Sequence, residues 1–217
     1  MILVPVKNLR DAKQRLSPAL TREERSALAS AMLQDVLDAL SQSGSHKVAL
    51  VTGDADAKKL AAAYSFEVIE DTSNPGETGA IEMATRVCVE RGETETLVFP
   101  GDIPLITARE VQMIFDCAPP HGTVLVPSVS GRGSNGVLRR PANLIPLRFG
   151  NDSFVPHLAA ARATGKPARV LKLSGTGLDV DEPADLSDLL AAPGSTRAQR
   201  LLGDWHIDER LLHAAAG

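Results

Sequence analysis

Short apolar runs spaced by helical stretches constrain this chain more than any other feature. ILVPV (2–6), KVALVTGD (47–54), FEVIED (66–71) and TLVFP (96–100) read as strands, each short, apolar and bounded by polar or turn residues. Between them lie segments with helical periodicity. The firmest begins where Thr21 and Glu24 make a capping box, and it carries Leu28, Met32, Leu33, Val36, Leu37 and Leu40. Further helices are expected over 55–64 and about 79–91, with a loop TSNPGE (72–77) before the latter. A β-α-β-α-β order of this kind builds a mostly parallel sheet covered on both faces. Pro5 fits the first strand only at an edge or a bend, because proline donates no ladder hydrogen bond.

TVLVPSV (123–129), GVLRR (136–140) and ARVLKL (168–173) read as three more strands, where the sheet is expected to become mixed, and LRFGNDSF reads as a structured loop. A helix over about 183–190 follows Glu182-Pro183. After an Ala-Pro-Gly-Ser break comes one amphipathic helix over 196–214, carrying Leu201, Leu202, Trp205, Leu211 and Leu212. The chain therefore divides into one α/β domain over 1–192 and a helical tail over 193–217, which could pack on its own domain or on a second copy in a homodimer. At 217 residues there is room for one full-sized domain.

Composition excludes several classes. A net charge of −4 with 3% aromatic residues does not suit a nucleic-acid surface, and no apolar run reaches the roughly 20 residues of a membrane span. No secretion leader is visible, so a cytoplasmic protein is expected. Cys88 and Cys117 have no CxxC or histidine neighbours and read as buried, inert thiols. His46, His121, His157, His206 and His213 lie in no zinc spacing.

Three features carry chemistry. GRGSNG (131–136) has the dinucleotide spacing, but a strand follows where the pyrophosphate-binding helix would have to start. It reads instead as a flexible glycine loop whose amides could contact an anion. In LVFPGDIPL, Asp102 stands at the carboxyl end of a strand, where open α/β sheets gather ligands. In GLDVDEPADL, Asp179 and Asp181 alternate across Val180 and so face one side. A divalent metal between them is one reading, and Asp181 capping the helix at Pro183 with Asp102 in a turn is the other. Lys7, Arg10, Lys13 and Arg15 crowd the first loop with only Asp11 among them. If that loop covers the same sheet edge, cations meet carboxylates at a site suited to polyphosphate.

Taken in order, VPVKNLRDAKQRLSP, ERSALASAMLQDVLDAL, FPGDIPL, GSNGVL, RFGNDSFVPHLAAA and LDVDEPADL resemble the guanylyltransferases of coenzyme F420 biosynthesis, which act on 2-phospholactate or phosphoenolpyruvate. The resemblance covers the chain to about residue 190. It implies a Rossmann-like α/β domain with a mixed sheet, of the A-type glycosyltransferase and nucleotidyltransferase fold. It also implies transfer of GMP from GTP to a small phosphorylated carboxylic acid with release of pyrophosphate. By matching position, Lys7, Arg10, Lys13 and Arg15 would contact the triphosphate, with Lys7, Lys13 and Asp102 catalytic. Asp102, Asp179 and Asp181 would hold Mg2+. Ser134, Asn135, Gly150 and Ser153 would bind the acceptor. The chain departs from the family pattern at Glu77-Thr78-Gly79, in place of a GLN-like run, and at RGSN, in place of a GGTN-like run. A 3-phosphoglycerate acceptor is therefore a further hypothesis. A molybdopterin or sugar-phosphate acceptor and a nucleotide-binding regulatory module are the alternatives, and the next enzyme of the pathway is one candidate partner beside GTP and the acid.

Overall fold

In a computed structural model, described over residues 1–71, 76–150 and 152–215, seven strands form one sheet. They are β1 (Ile2–Pro5), β2 (Val48–Thr52), β3 (Glu67–Glu70), β4 (Thr96–Val98), β5 (Gly122–Pro127), β6 (Ser134–Arg140) and β7 (Ala168–Val170). Their spatial order is β3-β2-β1-β4-β6-β5-β7. Only β6 runs antiparallel to its neighbours, so the sheet is mixed where the second set of strands enters. β1 is an interior strand, between β2 and β4. Pro5 is tolerated there because it is the last residue of the strand, beyond the Ile2↔Leu97 and Leu3↔Val98 register with β4. Central burial also explains the uninterrupted apolar character of these runs.

Alternate residues of β1 separate the two faces. Ile2 and Val4 pack with Leu33, Val36, Leu37 and Leu40 of α1 (Arg22–Gln42), with α2 (Ala55–Ala63), and with Val111, Ile114 and Phe115 of α4 (Ala108–Asp116). Leu3 packs on the other side with Ile81, Ala84 and Cys88 of α3 (Glu77–Glu90), and with Ala161 of α5 (Phe154–Ala163). The capping box at Thr21 and Glu24 is present. The same arrangement in TARE, at Thr107 and Glu110, starts α4, a helix beyond those expected from the sequence. α5 is likewise additional, since LRFGNDSF runs into a helix at Phe154 rather than ending as a loop.

Three sequence expectations are corrected here. Ser134 and Asn135 belong to β6, so only the first part of GRGSNG is a loop. The single helix expected over 196–214 is two, α8 (Arg197–Asp204) and α9 (Ile207–Ala215), because His206 adopts φ 51°, a left-handed conformation that no α-helix continues. Cys117, at the end of α4, is half-buried rather than buried. Part of the loop expected at 72–77, and the side chain of Leu212, lie outside the described residues.

α1 is apolar on more than one stripe, and the structure shows why. Its Leu28 and Met32 turn away from the sheet toward Val180, Leu186 and Leu189 of α7 (Pro183–Ala191) and its approach, and toward Ala198, Leu202 and Ile207. Asp35 of α1 accepts from the backbone N–H groups of Arg197 and Ala198 at 2.8 and 2.9 Å, while Arg210 of α9 pairs with Glu24 at 2.7 Å. The last helices thus lie against α1 of the same chain. Asp35→Ala should cost about 2–3 kcal/mol, the worth of hydrogen bonds to a buried charged acceptor. Urea denaturation measures it, and an unchanged midpoint would remove Asp35 as the anchor of α8.

Candidate active site

The first loop is tied down before it reaches the sheet edge. Leu9 N–H donates to Asp54 Oδ2 (3.2 Å), and Leu16, fully buried, ends a single 3-10 turn over Gln14–Leu16. Lys13 stands just before that turn with φ 54°. Such a conformation is uncommon for a residue with a Cβ and persists only where surrounding contacts hold it. Here they are electrostatic. The Lys13 ammonium donates to Asp102 and, at 2.8 Å, to Asp181 Oδ1, and its side chain is only 9% exposed. Burial alone would lower its pKa, but the two carboxylates outweigh that penalty and the net shift is upward.

Backbone contacts bring the second acidic segment to this point. Val180 N–H donates to Asp102 C=O (3.1 Å), and Val129 N–H donates to Gly177 C=O (2.8 Å). Upstream, the buried Glu110 carboxylate accepts from Gly175 N–H, Thr176 N–H and the Thr176 hydroxyl, so α6 (Ser174–Gly177) is pinned to α4. A Cβ at Gly175 would stand 2.2 Å from Leu105 C=O, which makes glycine obligatory in that approach. Val180 is buried, and Asp179 and Asp181 on either side of it both line the cleft. The N-cap of α7 is Glu182, in a capping box with Asp185, so Asp181 is not the cap and its carboxylate is left for Lys13 and Arg15.

The cleft is about 820 Å³. Of the described residues that line it, eight are acidic (Glu77, Asp102, Asp152, Asp179, Asp181, Glu182, Asp185, Asp188) and two are arginines, Arg15 and Arg132. Burial, then the charge of Asp102, pushes the Glu77 carboxyl up to about 7, against the pull of Lys7 and Lys13. Burial likewise raises Asp179, although Asn135 donates to it. Asp181 moves down because Lys13 overcomes the burial penalty. Asp102 Oδ1 is buried with no hydrogen-bond partner. No group of three or more metal-ligating side chains is assembled among the described residues. Mg2+ is commonly held by one or two carboxylates together with substrate phosphates, and the orphaned Asp102 oxygen fits that donor set.

A smaller cavity of about 330 Å³ adjoins the first on the far side of Asp102, lined by Lys7, Lys13, Leu9, Ala29, Met32 and Leu33 among others. Arg10 lines neither space. It is exposed and pairs with Asp56 at 3.5 Å.

Gly150, Ser134, Asn135 and Ser153 also line the large cleft. Asn135 is committed to the fold: its amide donates to Thr176 C=O, Gly177 C=O and Asp179 Oδ1, so it positions the acidic segment. Ser134 N–H donates to Ser153 Oγ (2.9 Å). Behind them is His157, 1% exposed, which sequence spacing set aside as one of five dispersed histidines. Its Nδ1 is 2.9 Å from Ser134 Oγ, and its Nε2 accepts from Arg148 N–H at 2.8 Å. Arg132, beside the glycines, pairs with Asp152 across the rim at 2.6 Å.

With this geometry in view, the family model described as "Guanylyl transferase CofC like" matches residues 1–216. The chain belongs to that family. It is 39% identical to the phosphoenolpyruvate guanylyltransferase of Roseiflexus castenholzii, over 92% of this chain and 91% of that one. It is 32% identical to the 2-phospho-L-lactate guanylyltransferase of Methanothermobacter thermautotrophicus, over 92% and 88%. It is 31% identical to the 3-phospho-D-glycerate guanylyltransferase of Colwellia psychrerythraea, over 92% and 95%. Among solved structures, a protein assigned as a nucleotide-diphospho-sugar transferase from Desulfovibrio desulfuricans G20 superposes with TM-score 0.80 at 20% identity, covering 96% of each chain. That likeness shows the fold, a single α/β domain with a mixed sheet.

Burial, with Arg139 adding to it, lowers the His157 pKa from 6.5 to about 4. Between those values the unfolded chain binds the proton and the folded one does not. Stability from this group is therefore full above pH 6.5 and is lost as pH falls toward 4. From pH 7 to pH 5 the loss should be about 2 kcal/mol. Urea midpoints at both pH values should fall further for the parent protein than for His157→Gln, and parallel falls would contradict a neutral, buried imidazole.

Proposed function

We propose that this guanylyltransferase moves GMP from GTP to the phosphate of a small phosphorylated carboxylic acid, releasing pyrophosphate, as a step of coenzyme F420 biosynthesis. Phosphoenolpyruvate, 2-phospholactate and 3-phosphoglycerate are the candidate acceptors, after the relatives named for each. The observation that carries this reading is the convergence of Lys13, Asp102 and Asp181 beside a cleft that also presents Ser134, Ser153 and Gly150. The first set offers a cation and carboxylates suited to a triphosphate with its metal. The second offers small hydroxyl and backbone donors suited to a compact anion.

The acidity of the cleft supports a metal-borne nucleotide. Eight carboxylates facing two guanidinium groups repel a bare polyphosphate. Asp102, through its orphaned oxygen, and Asp179 would hold Mg2+, whereas Asp181, paired with Lys13 and Arg15, leaves the three-carboxylate set expected from the sequence. The ion, when bound, would neutralise phosphate charge and polarise the α-phosphorus. Lys7, Lys13 and Arg15 would orient the triphosphate, and Arg10, turned toward Asp56, would reach it only by leaving that pair.

The acceptor needs no general base. Its phosphate loses the second proton near pH 6, so a phosphate oxygen is already nucleophilic at neutral pH. That oxygen forms a new bond to the α-phosphorus of GTP. The bond to the β-phosphate bridging oxygen breaks, and pyrophosphate leaves with the electron pair. What this chain contributes is alignment and charge. The product is a diphosphate that joins the acid to guanosine through a phosphoanhydride, an activated linkage suited to hand-off to a following enzyme.

Purified protein with Mg2+ should release pyrophosphate only when GTP and one of the three acids are both present. Crossing the nucleoside triphosphates against the acids names both substrates. Release with none of the pairs would reject the reading. Asp102→Asn should keep the fold and reduce turnover by about 10²-fold or more, so near-normal activity in that variant would remove Asp102 from catalysis.

A further inference from the structure

His157 is buried behind the cleft-lining Ser134 and ties two segments together. It reaches β6 through Ser134 Oγ and the loop before Gly150 through Arg148 N–H. Its ring also lies edge-on to Phe149, with centroids 5.3 Å apart. The hydrogen bonds decide its tautomer. A backbone N–H can only donate, so Nε2, which faces Arg148 N at 2.8 Å, carries no proton. The neutral ring has one proton left, and it sits on Nδ1, 2.9 Å from Ser134 Oγ. Ser134 Oγ therefore accepts, and its own proton remains for a different partner.

Ser153 is in the same position. Its Oγ accepts from Ser134 N–H at 2.9 Å, which also leaves its proton for another partner. Both serines line the cleft. Each hydroxyl has one lone pair occupied by an internal donor and its proton unspent. Two such hydroxyls beside Gly150 suit an anion.

We propose that His157 is a positioning residue for the acceptor: by donating to Ser134 it turns the Ser134 hydroxyl into a fixed donor toward the phosphate or carboxylate of the acid. This rests on the guanylyltransfer reading for which ligand enters the cleft. The surroundings of the ring agree with it, since burial and Arg139 keep the imidazole neutral and so keep Nε2 an acceptor. A histidine that merely filled the space behind α5 would need no such division of labour between its two nitrogens.

The test uses four variants. Ser134→Ala removes the hydroxyl. His157→Gln can accept near the Nε2 position but lacks the donor at Nδ1, whereas His157→Asn places an amide donor near Nδ1. The fourth is the double variant Ser134→Ala with His157→Gln. Steady-state pyrophosphate release with phosphoenolpyruvate, 2-phospholactate and 3-phosphoglycerate gives KM for acid and for GTP separately. Ser134→Ala and His157→Gln should each raise the KM for the acid about tenfold and leave that for GTP unchanged. The double variant should be no worse than Ser134→Ala alone, since both changes remove one donor. His157→Asn should recover most of the loss.

Independent, multiplying effects in the double variant would overturn the proposal. So would equal rises in both KM values, or failure of His157→Asn alongside His157→Gln, because each describes a histidine that only supports packing. Calorimetric titration of the same acids reads the same pattern as Kd without turnover. A parent protein that binds an acid but releases no pyrophosphate would sink the guanylyltransfer reading, while the Kd values of the variants still decide the role of His157. Absence of binding by every acid would overturn both.

Discussion

The ammonium of Lys13, held between Asp102 and Asp181, is the contact on which the active end of this molecule depends. It joins segments 89 and 168 residues apart in sequence. A charge so little exposed is tolerated only when paired, and an unpaired pair of carboxylates at one sheet edge would be equally costly. The left-handed backbone at Lys13 and the backbone bond from Val180 to Asp102 are what allow the three groups to meet. Loss of the lysine would leave Asp102 and Asp181 opposed with no cation between them.

Around that contact the cleft is mostly acidic, and its carboxylates repel polyphosphate unless cations accompany it. Ser134 and Ser153 add uncharged donors to the same lining. Glu110 and Asn135 hold this arrangement although neither need touch a ligand. Glu110 fixes the approach through Gly175 and Thr176, and Asn135 carries that order to Asp179. A buried carboxylate with three donors and a buried amide with three acceptors are satisfied polar networks of the kind that rigidify a site.

Much of the fold was legible because its signals are local. Period-two and continuous apolar runs marked the strands, and the capping box at Thr21 and Glu24 marked α1. The same box at Thr107 and Glu110, a local signal too, marks the start of α4. The break between α8 and α9 had no such signal. A left-handed His206 follows from how Leu202 and Ile207 must both reach the core beside Leu28, and that is a tertiary demand. Within the site, residue types at strand ends pointed to Asp102, Asp179 and Asp181. Spacing could not reveal that Asn135 is occupied by the backbone of α6, that Arg10 turns to Asp56, or that His157 bonds to the cleft-lining Ser134.

The sequence by itself determined the parallel α/β arrangement, the strand-end carboxylates and the cationic first loop, because hydrophobic period and residue type act over a few neighbouring positions. Its ordered motifs also pointed to the guanylyltransferase family. Only the tertiary structure decided which of these charges face one another, which serine protons are free for a ligand, and that α8 and α9 close over α1. Those outcomes depend on contacts between segments distant in the chain, where burial makes each unpaired polar group costly and so selects one set of partners.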